Sequence, residues 1–315
     1  MKVYKSLEEI PPIHNPVLTL GTFDGVHLGH QSILNHLKAT AERIKGETVV
    51  FTFHPHPRIA LHPEDHGLEL IQSLEDRIKK LEQFGIDHLI LFPFTKEFSR
   101  LSATEFVRNI MVNQLRIHTL TIGYNHHFGR NREGSMELLK ELSVLYNFKV
   151  EEIPAFLESE KSVSSTKIRE AIHEGNIELA NRFLGSTYNF EGLVVEGDKL
   201  GNTIGFPTAN ITIEKTQLIP LKGVFAVRVK YKEKILDGMM NIGNRPTVAV
   251  DGERRVEINL FEFSENIYGE KLVVYLIDRI REEENFNSLD ALKSQLKKDE
   301  INCRNILSSS AVNID

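Results

Sequence analysis

Cysteine is nearly missing from this chain of 315 residues, where Cys303 stands alone. No internal disulfide and no thiolate metal cluster can be built from one thiol, and a reducing compartment is expected. Long apolar runs are missing too. No stretch approaches the roughly 20 apolar residues of a membrane span, and the opening MKVYKSLEEIPPIHNP lacks a long apolar core, so a cytoplasmic protein without a membrane partner is expected. Nor does charge of one sign dominate. With 38 Lys and Arg against 44 Asp and Glu the net charge is -6, and no basic stripe or RNA-binding aromatic signature gathers nucleic acid. A nucleotide needs only a local pocket and stays open as a ligand.

The length suits two domains of ordinary size, and the sequence specifies no oligomeric state. In the first half, apolar runs alternate with amphipathic ones. VLTLGTF and ETVVFTF read as buried parallel strands, with Ile33, Leu34, Leu37, Ala41 and Ile44 at helical spacing between them. SLEDRIKKLEQFG reads as a helix burying Leu74, Ile78, Leu81 and Phe84, capped by Ser73 and stopped at Gly85. Strands in IDHLILFPF, IHTLTIGY and FKVEEIPAF alternate with helices in SATEFVRNIMVNQL and SMELLKELSVLYN, which predicts a parallel sheet covered on both faces.

Near Ser164 the texture changes. Two short helices broken at Gly175 and Gly185 lead into short strands and turns. In GVFAVRVKYKEK, Phe225, Val227, Val229 and Tyr231 alternate with Val224, Ala226, Arg228 and Lys230, the pattern of a half-buried antiparallel strand. A small closed barrel with a closing helix in SLDALKSQLKKDEINCRNIL is predicted. The change in periodicity puts a domain boundary at 184/185.

The stretch GTFDGVHLGH ends a strand in glycines and opens a helix at a pair of histidines, His27 and His30. Gly21 and Gly25 permit close approach of a ligand, and free N–H groups at a helix start favour an anion. A capping turn with solvated histidines is the plainer alternative. A metal pair completed by His54 and His56 is another. In SVSSTKIREAI, the hydroxyls of Ser164, Ser165 and Thr166 precede Lys167 and Arg169 at a second helix start. A bare cap accounts for such hydroxyls, yet two cations there suit a triphosphate.

Three further signals lie in the second half. GDKLGNTIGFPTAN sets Gly197, Gly201 and Gly205 around a turn whose N–H groups can cradle phosphates, or which is only a hairpin. Thr208 and Asn210, two apart on an extended segment, offer oxygen ligands of the kind Mg²⁺ takes. In RRVEINLFEF, alternation puts Glu257, Asn259 and Phe261 on the strand face opposite Val256, Ile258 and Leu260, where an acid is a candidate base or merely solvated.

GTFDGVHLGH with SSTKIREAI resembles the HxGH nucleotidyltransferases, and TFHPHPR and GYNHHFGRNREG narrow the resemblance to bacterial bifunctional riboflavin kinases/FAD synthetases. GDKLGNTIGFPTANI, GVFAVRV, NIGNRPT, RRVEINLFEF and REEENFNSLDALKSQL are similar to the riboflavin kinase module of that family.

The resemblance implies an α/β Rossmann-like parallel sheet in residues 1–184 for FMN adenylylation and a small antiparallel β-barrel in residues 185–315 for riboflavin phosphorylation. It implies ATP as co-substrate, Mg²⁺ as cofactor, and riboflavin, FMN and FAD as the other ligands. Thr22, Phe23, Gly29, Ser164, Ser165, Thr166, Lys167 and Arg169 are then expected to meet ATP in the first module, with His27 and His30 catalytic. Asn125 and Phe128 are expected to meet FMN. Gly197, Gly201, Gly205, Pro207, Thr208 and Asn210 are expected around ATP in the second, with Thr208 and Asn210 on the metal and Glu257 as base. In NHHFG the sequence departs from the family, where many members carry an acidic residue first and a different residue at His127. Single activity, or a non-catalytic flavin- or nucleotide-binding regulator, is the competing expectation.

Overall fold

In the computed structural model, which describes residues 1–64, 67–123, 128–158, 161–197, 200–244 and 254–310, the chain divides into two compact units. Unit 1 comprises Met1–Leu68 and Leu74–Val163; unit 2 comprises Glu69–Ser73 and Ser164–Asp315.

Val17–Leu20 (β2) is buried at every residue because its alternating side chains meet a core on each face. Val17 joins Leu34, Leu37, Ala41 and Val50, whereas Leu18 and Leu20 join Val49, Phe51, Ile110 and Leu120. Around it run Lys2–Tyr4 (β1), Thr48–Phe53 (β3), His88–Phe92 (β4), Thr119–Gly123 (β5) and Lys149–Ile153 (β6). All pair parallel in the order β1-β4-β3-β2-β5-β6. The order reverses between β2 and β5, and ligands of such sheets bind at the carboxyl ends beside that reversal. β1 escaped the sequence because three residues carry no readable period.

Leu28–Ile44 (α1), Pro57–Leu61 (α2), Leu74–Gln83 (α3), Ala103–Phe106 (α4) and Met136–Tyr146 (α5) are the helices of this unit. α4 starts in a capping box of Ser102 and Glu105. Where an ordinary helix was expected beyond it, Val107–Gln114 is a wider π-helix burying Val107, Ile110 and Met111. A ribbon of Leu157–Glu158 (β7) and Lys161–Ser162 (β8) closes the unit.

Unit 2 opens with Ser165–His173 (α6) and Ile177–Leu184 (α7), separated at Gly175 and stopped at Gly185, both with positive φ. Asn189–Val195 (β9), Ala209–Thr212 (β10), Gly223–Tyr231 (β11), Lys234–Asn244 (β12), Arg254–Leu260 (β13) and Lys271–Arg281 (β14) form a closed barrel in the order β10-β13-β12-β11-β14-β9. Leu200–Ile204 (α8) precedes β10, and Leu289–Ser309 (α9), capped by Ser288, is the closing helix. β11 differs from its half-buried expectation. Val224 to Val227 are all buried, because Ala226 on the outer face packs with Cys303 and Leu307 of α9.

Residues 69–73 fall between helices of unit 1 yet belong to unit 2. The Leu70 N–H donates to the Thr216 carbonyl at 2.6 Å, and the Leu218 N–H donates to the Leu70 carbonyl at 2.9 Å. The Glu69 carboxylate sits 2.5 Å from both His173 Nε2 and Arg254 Nη2.

Candidate functional sites in the two units

β2 runs into the His27–His30 turn at the carboxyl end of the sheet. His27 is the N-cap of α1, its Nδ1 accepting the His30 backbone N–H at 3.3 Å. That bond leaves Nδ1 without a proton, so the neutral ring carries its hydrogen on Nε2 as a donor. The two imidazoles stack with centroids 3.7 Å apart, and Phe23 leans on His30 at 5.0 Å. Burial, then His27 and Arg77, hold the His30 imidazole well below the usual histidine range, so it is neutral near pH 7. His30 Nδ1 is buried with no hydrogen-bond partner.

Close packing shapes this turn. A Cβ on Gly29 would lie 3.1 Å from the His27 ring and 3.4 Å from the Val163 carbonyl oxygen. Val26 is fully buried at φ 38 and Phe23 nearly so at φ 51, a conformation costly for a β-branched residue and held only by its surroundings. The Thr22 carbonyl accepts from Arg77 Nη1 at 2.7 Å and from Thr52 Oγ1 at 3.2 Å.

Beside the turn, Gly21 and Thr22 line a cavity of about 430 Å³ walled by Phe53, Phe94, Phe98, Phe106 and Phe128. Phe128 is 7 % exposed. Asn125, with Tyr124, His126 and His127, lies outside the described residues. His56 caps α2 through Nδ1, and among the described residues no group of three His, Cys, Asp or Glu side chains could hold a metal. The metal alternative for the histidines finds no ligand set there.

The hydroxyl motif belongs to unit 2. Ser164 caps α6, its Oγ accepting the Lys167 N–H at 3.4 Å. Ser165 and Lys167 are half-buried and Thr166 is exposed. Arg169 donates from Nε to the Glu69 carbonyl at 2.7 Å, which anchors the base of its side chain.

The barrel gathers the other predicted residues. β13 pairs with β10 and β12, so Asn210, Glu257 and Asn241 lie in one cross-strand row. Glu257, Asn259, Asn241 and Thr208 line a cavity of about 380 Å³ with Met239, Phe286, Leu292 and Leu296. Ile258 and Leu260 line the neighbouring cavity of about 300 Å³ with Gly197, Pro207, Thr208, Asn210 and Tyr268. The predicted alternation on this strand is thus observed, and Thr208 is shared by both cavities.

Asn259 Nδ2 donates to the Pro207 carbonyl at 2.7 Å, tying β13 to the loop before β10. Gly201 lies within α8 rather than in a turn, and the Phe206 carbonyl oxygen packs where its Cβ would be. A Cβ on Gly197 would sit 1.9 Å from Asn210 Nδ2, and Gly205 ends α8 at φ 83. Hydroxyl and carboxamide oxygens beside Gly197 and Gly201, where no Cβ fits, suit a hard cation that keeps some of its water.

Two cations escaped the sequence analysis. Arg77 is buried on α3, and its sole signal was a charge one residue from Ile78 on the helix's apolar side. Arg255 contacts both Asn210 and Glu257, a convergence visible only once β10 and β13 pair.

Fold and sites together define a two-module, nucleotide-using transferase. Residues 10–167 match the model of the FAD synthetase family and residues 184–307 that of the riboflavin kinase family. Three proteins described as bifunctional riboflavin kinase/FMN adenylyltransferase are similar over nearly the whole length. The Haemophilus influenzae protein is 40 % identical over 90 % of this chain and 91 % of its own. The Buchnera aphidicola (Schizaphis graminum) protein is 38 % identical over 95 % and 96 %, and the Escherichia coli protein 36 % identical over 96 % and 97 %. The chain belongs to the bifunctional riboflavin kinase/FMN adenylyltransferase family.

A crystal structure described as a macrolide-efflux protein from Streptococcus pneumoniae matches with TM-score 0.87 and 34 % identity over 96 % of this chain and 98 % of that one. Efflux is said of that protein alone. Among the described residues here, no helix is long and apolar enough to cross a membrane.

Proposed function

We infer that the chain performs two consecutive ATP-dependent steps: phosphorylation of riboflavin to FMN by residues 185–315, and adenylylation of FMN to FAD with release of pyrophosphate by residues 1–184. The observation that carries the first step is Thr208, which lines both barrel cavities while Glu257 lines one. A phosphoryl group passing from nucleotide to flavin must cross such a divide.

In the barrel, the larger cavity takes riboflavin. Met239, Phe286, Leu292 and Leu296 supply an apolar wall for the ring system, and Glu257 accepts the proton of the ribityl 5′-hydroxyl as it attacks the γ-phosphorus of ATP, whose bond to the β–γ bridging oxygen breaks so that ADP leaves. The smaller cavity, with Gly197, Pro207 and Asn210, takes the nucleotide, and Gly201 and Gly205 shape the approach to it. Thr208 and Asn210 would hold Mg²⁺, which supplies charge neutralisation on the phosphate oxygens.

In the first module the nucleophile is the FMN phosphate, already ionised near neutral pH, so no base is needed. Alignment and donors suffice. His27 offers Nε2–H and His30 a neutral imidazole, while Thr22, Phe23 and Gly29 shape the turn around ATP. Ser164, Ser165, Thr166, Lys167 and Arg169 supply hydroxyls and charge as pyrophosphate leaves. The aromatic cavity beside Thr22 suits the isoalloxazine ring, with Phe128 in its wall and Asn125 as a further contact.

We also assign the protein to the cytoplasm, because a chain whose single thiol is the buried Cys303 forms no internal disulfide. Incubation of purified protein with riboflavin, Mg²⁺ and ATP tests the functional assignment. FMN followed by FAD is expected. No FMN from riboflavin, or no FAD from added FMN, removes the corresponding activity, and binding without turnover favours a regulator.

A further inference from the structure

Asn210 and Glu257 are partners across the β10–β13 ladder, and one side chain reaches both. Arg255 donates from Nε to Asn210 Oδ1 at 3.0 Å, and its Nη2 lies 2.7 Å from Glu257 Oε1. Arg255 and Glu257 are two residues apart on β13, which puts them on one face. The guanidinium lines the same cavity as Thr208 and Glu257.

This position conflicts with a metal. Asn210 Oδ1 is the oxygen assigned above to Mg²⁺, whose contacts are about 2.1 Å long. With Arg255 Nε already 3.0 Å from that oxygen, the metal and the guanidinium nitrogen would be at most about 5 Å apart. Like charges at that separation repel, and the cavity wall limits the water that screens them.

We propose that Arg255 competes with the metal for Asn210. In the nucleotide-free barrel it occupies the carboxamide oxygen and balances the Glu257 carboxylate; when metal and nucleotide arrive it gives up Asn210. Arg255 is therefore a positioning residue that weakens metal binding until nucleotide phosphates compensate, and it ties metal loading to the release of the base. The inference rests on the assignment of Asn210 to the metal.

The test is a titration of the full-length protein with Mn²⁺ in the absence of nucleotide, reading free Mn²⁺ by electron paramagnetic resonance. The portion of bound Mn²⁺ that Asn210→Ala removes belongs to the barrel. Within that portion, Arg255→Gln should bind about tenfold more tightly than the native protein, because one repelling charge is gone. Arg255→Met, equally neutral, should behave alike, and a native melting profile for either variant keeps the comparison valid. Arg255→Lys keeps the charge and should stay close to the native affinity. Unchanged or weaker binding in the neutral variants, with loss in Asn210→Ala, overturns the competition alone. Undiminished binding in Asn210→Ala overturns the metal assignment and the inference with it.

Discussion

His30 shows how burial decides a residue's chemistry. Two histidines beside a phosphate suggest two cations, but the His30 imidazole is held well below the usual range by burial first, then by His27 and Arg77. In the proposed site it would therefore act as a neutral group, with positive charge supplied by arginine and lysine. The same depression has a stability consequence. Above the unfolded value of 6.5 both states are neutral and His30 is indifferent. As pH falls through 6.5 the unfolded chain takes up a proton that the folded ring refuses, so stability falls, by roughly 1.4 kcal/mol per pH unit for one proton. Thermal melts between about pH 7 and pH 5 should show a shallower decline for His30→Asn than for the native protein, an interval set by the histidine value. Parallel declines would show that His30 titrates normally.

At the scale of elements, the barrel depends on α9. Arg281 on β14 grips the fully buried Asp299 of α9 through Nε and Nη2, at 3.0 Å to Oδ1 and 2.8 Å to Oδ2, and Gln295 adds a bond at 2.9 Å. Removing one partner leaves a buried charge uncompensated. Asp299→Ala should therefore cost about 3–5 kcal/mol, measured by urea unfolding. Replacing both partners with apolar residues, Arg281→Met with Asp299→Leu, should cost much less, since no unpaired charge remains. Because Leu292 and Leu296 of α9 line the larger cavity, the single variant should also weaken riboflavin binding, seen as a raised KM.

For the whole molecule, two sites in two modules predict reciprocal losses. His30→Ala should lower FAD formation from FMN at least about 10²-fold, the usual effect of losing a placed donor, and leave riboflavin phosphorylation intact. Glu257→Gln should do the converse, lowering FMN formation about 10²-fold or more. Loss of both activities in one folded variant would contradict the separation. The 69–73 segment belongs to this scale as well. It hydrogen-bonds within unit 2 to the loop between β10 and β11, so the Leu70 and Leu218 amides should exchange slowly with solvent. Glu69→Ala, which frees His173 and Arg254, should speed that exchange by about tenfold or more. Unchanged exchange would show that the backbone bonds alone hold the segment.

Much of the fold is legible in the sequence because it is periodic. The apolar runs at Val17–Leu20 and Thr48–Phe53, the helical spacing of Leu34, Leu37 and Ala41, and the alternation around Glu257 each report a local regularity that the fold keeps. The motif spacing likewise singled out His27 and His30, which cap and open α1, and Thr208, Asn210 and Glu257, which line the two barrel cavities. What the sequence does not show are contacts between elements. Strand β1 is too short for a period, the outer face of β11 is buried only because α9 lies on it, and Arg77 and Arg255 gain meaning from partners 55 and 45 residues away. Periodicity is a property of neighbours along the chain, whereas neutralising His30 or bridging Asn210 and Glu257 requires groups that only folding brings within hydrogen-bond distance.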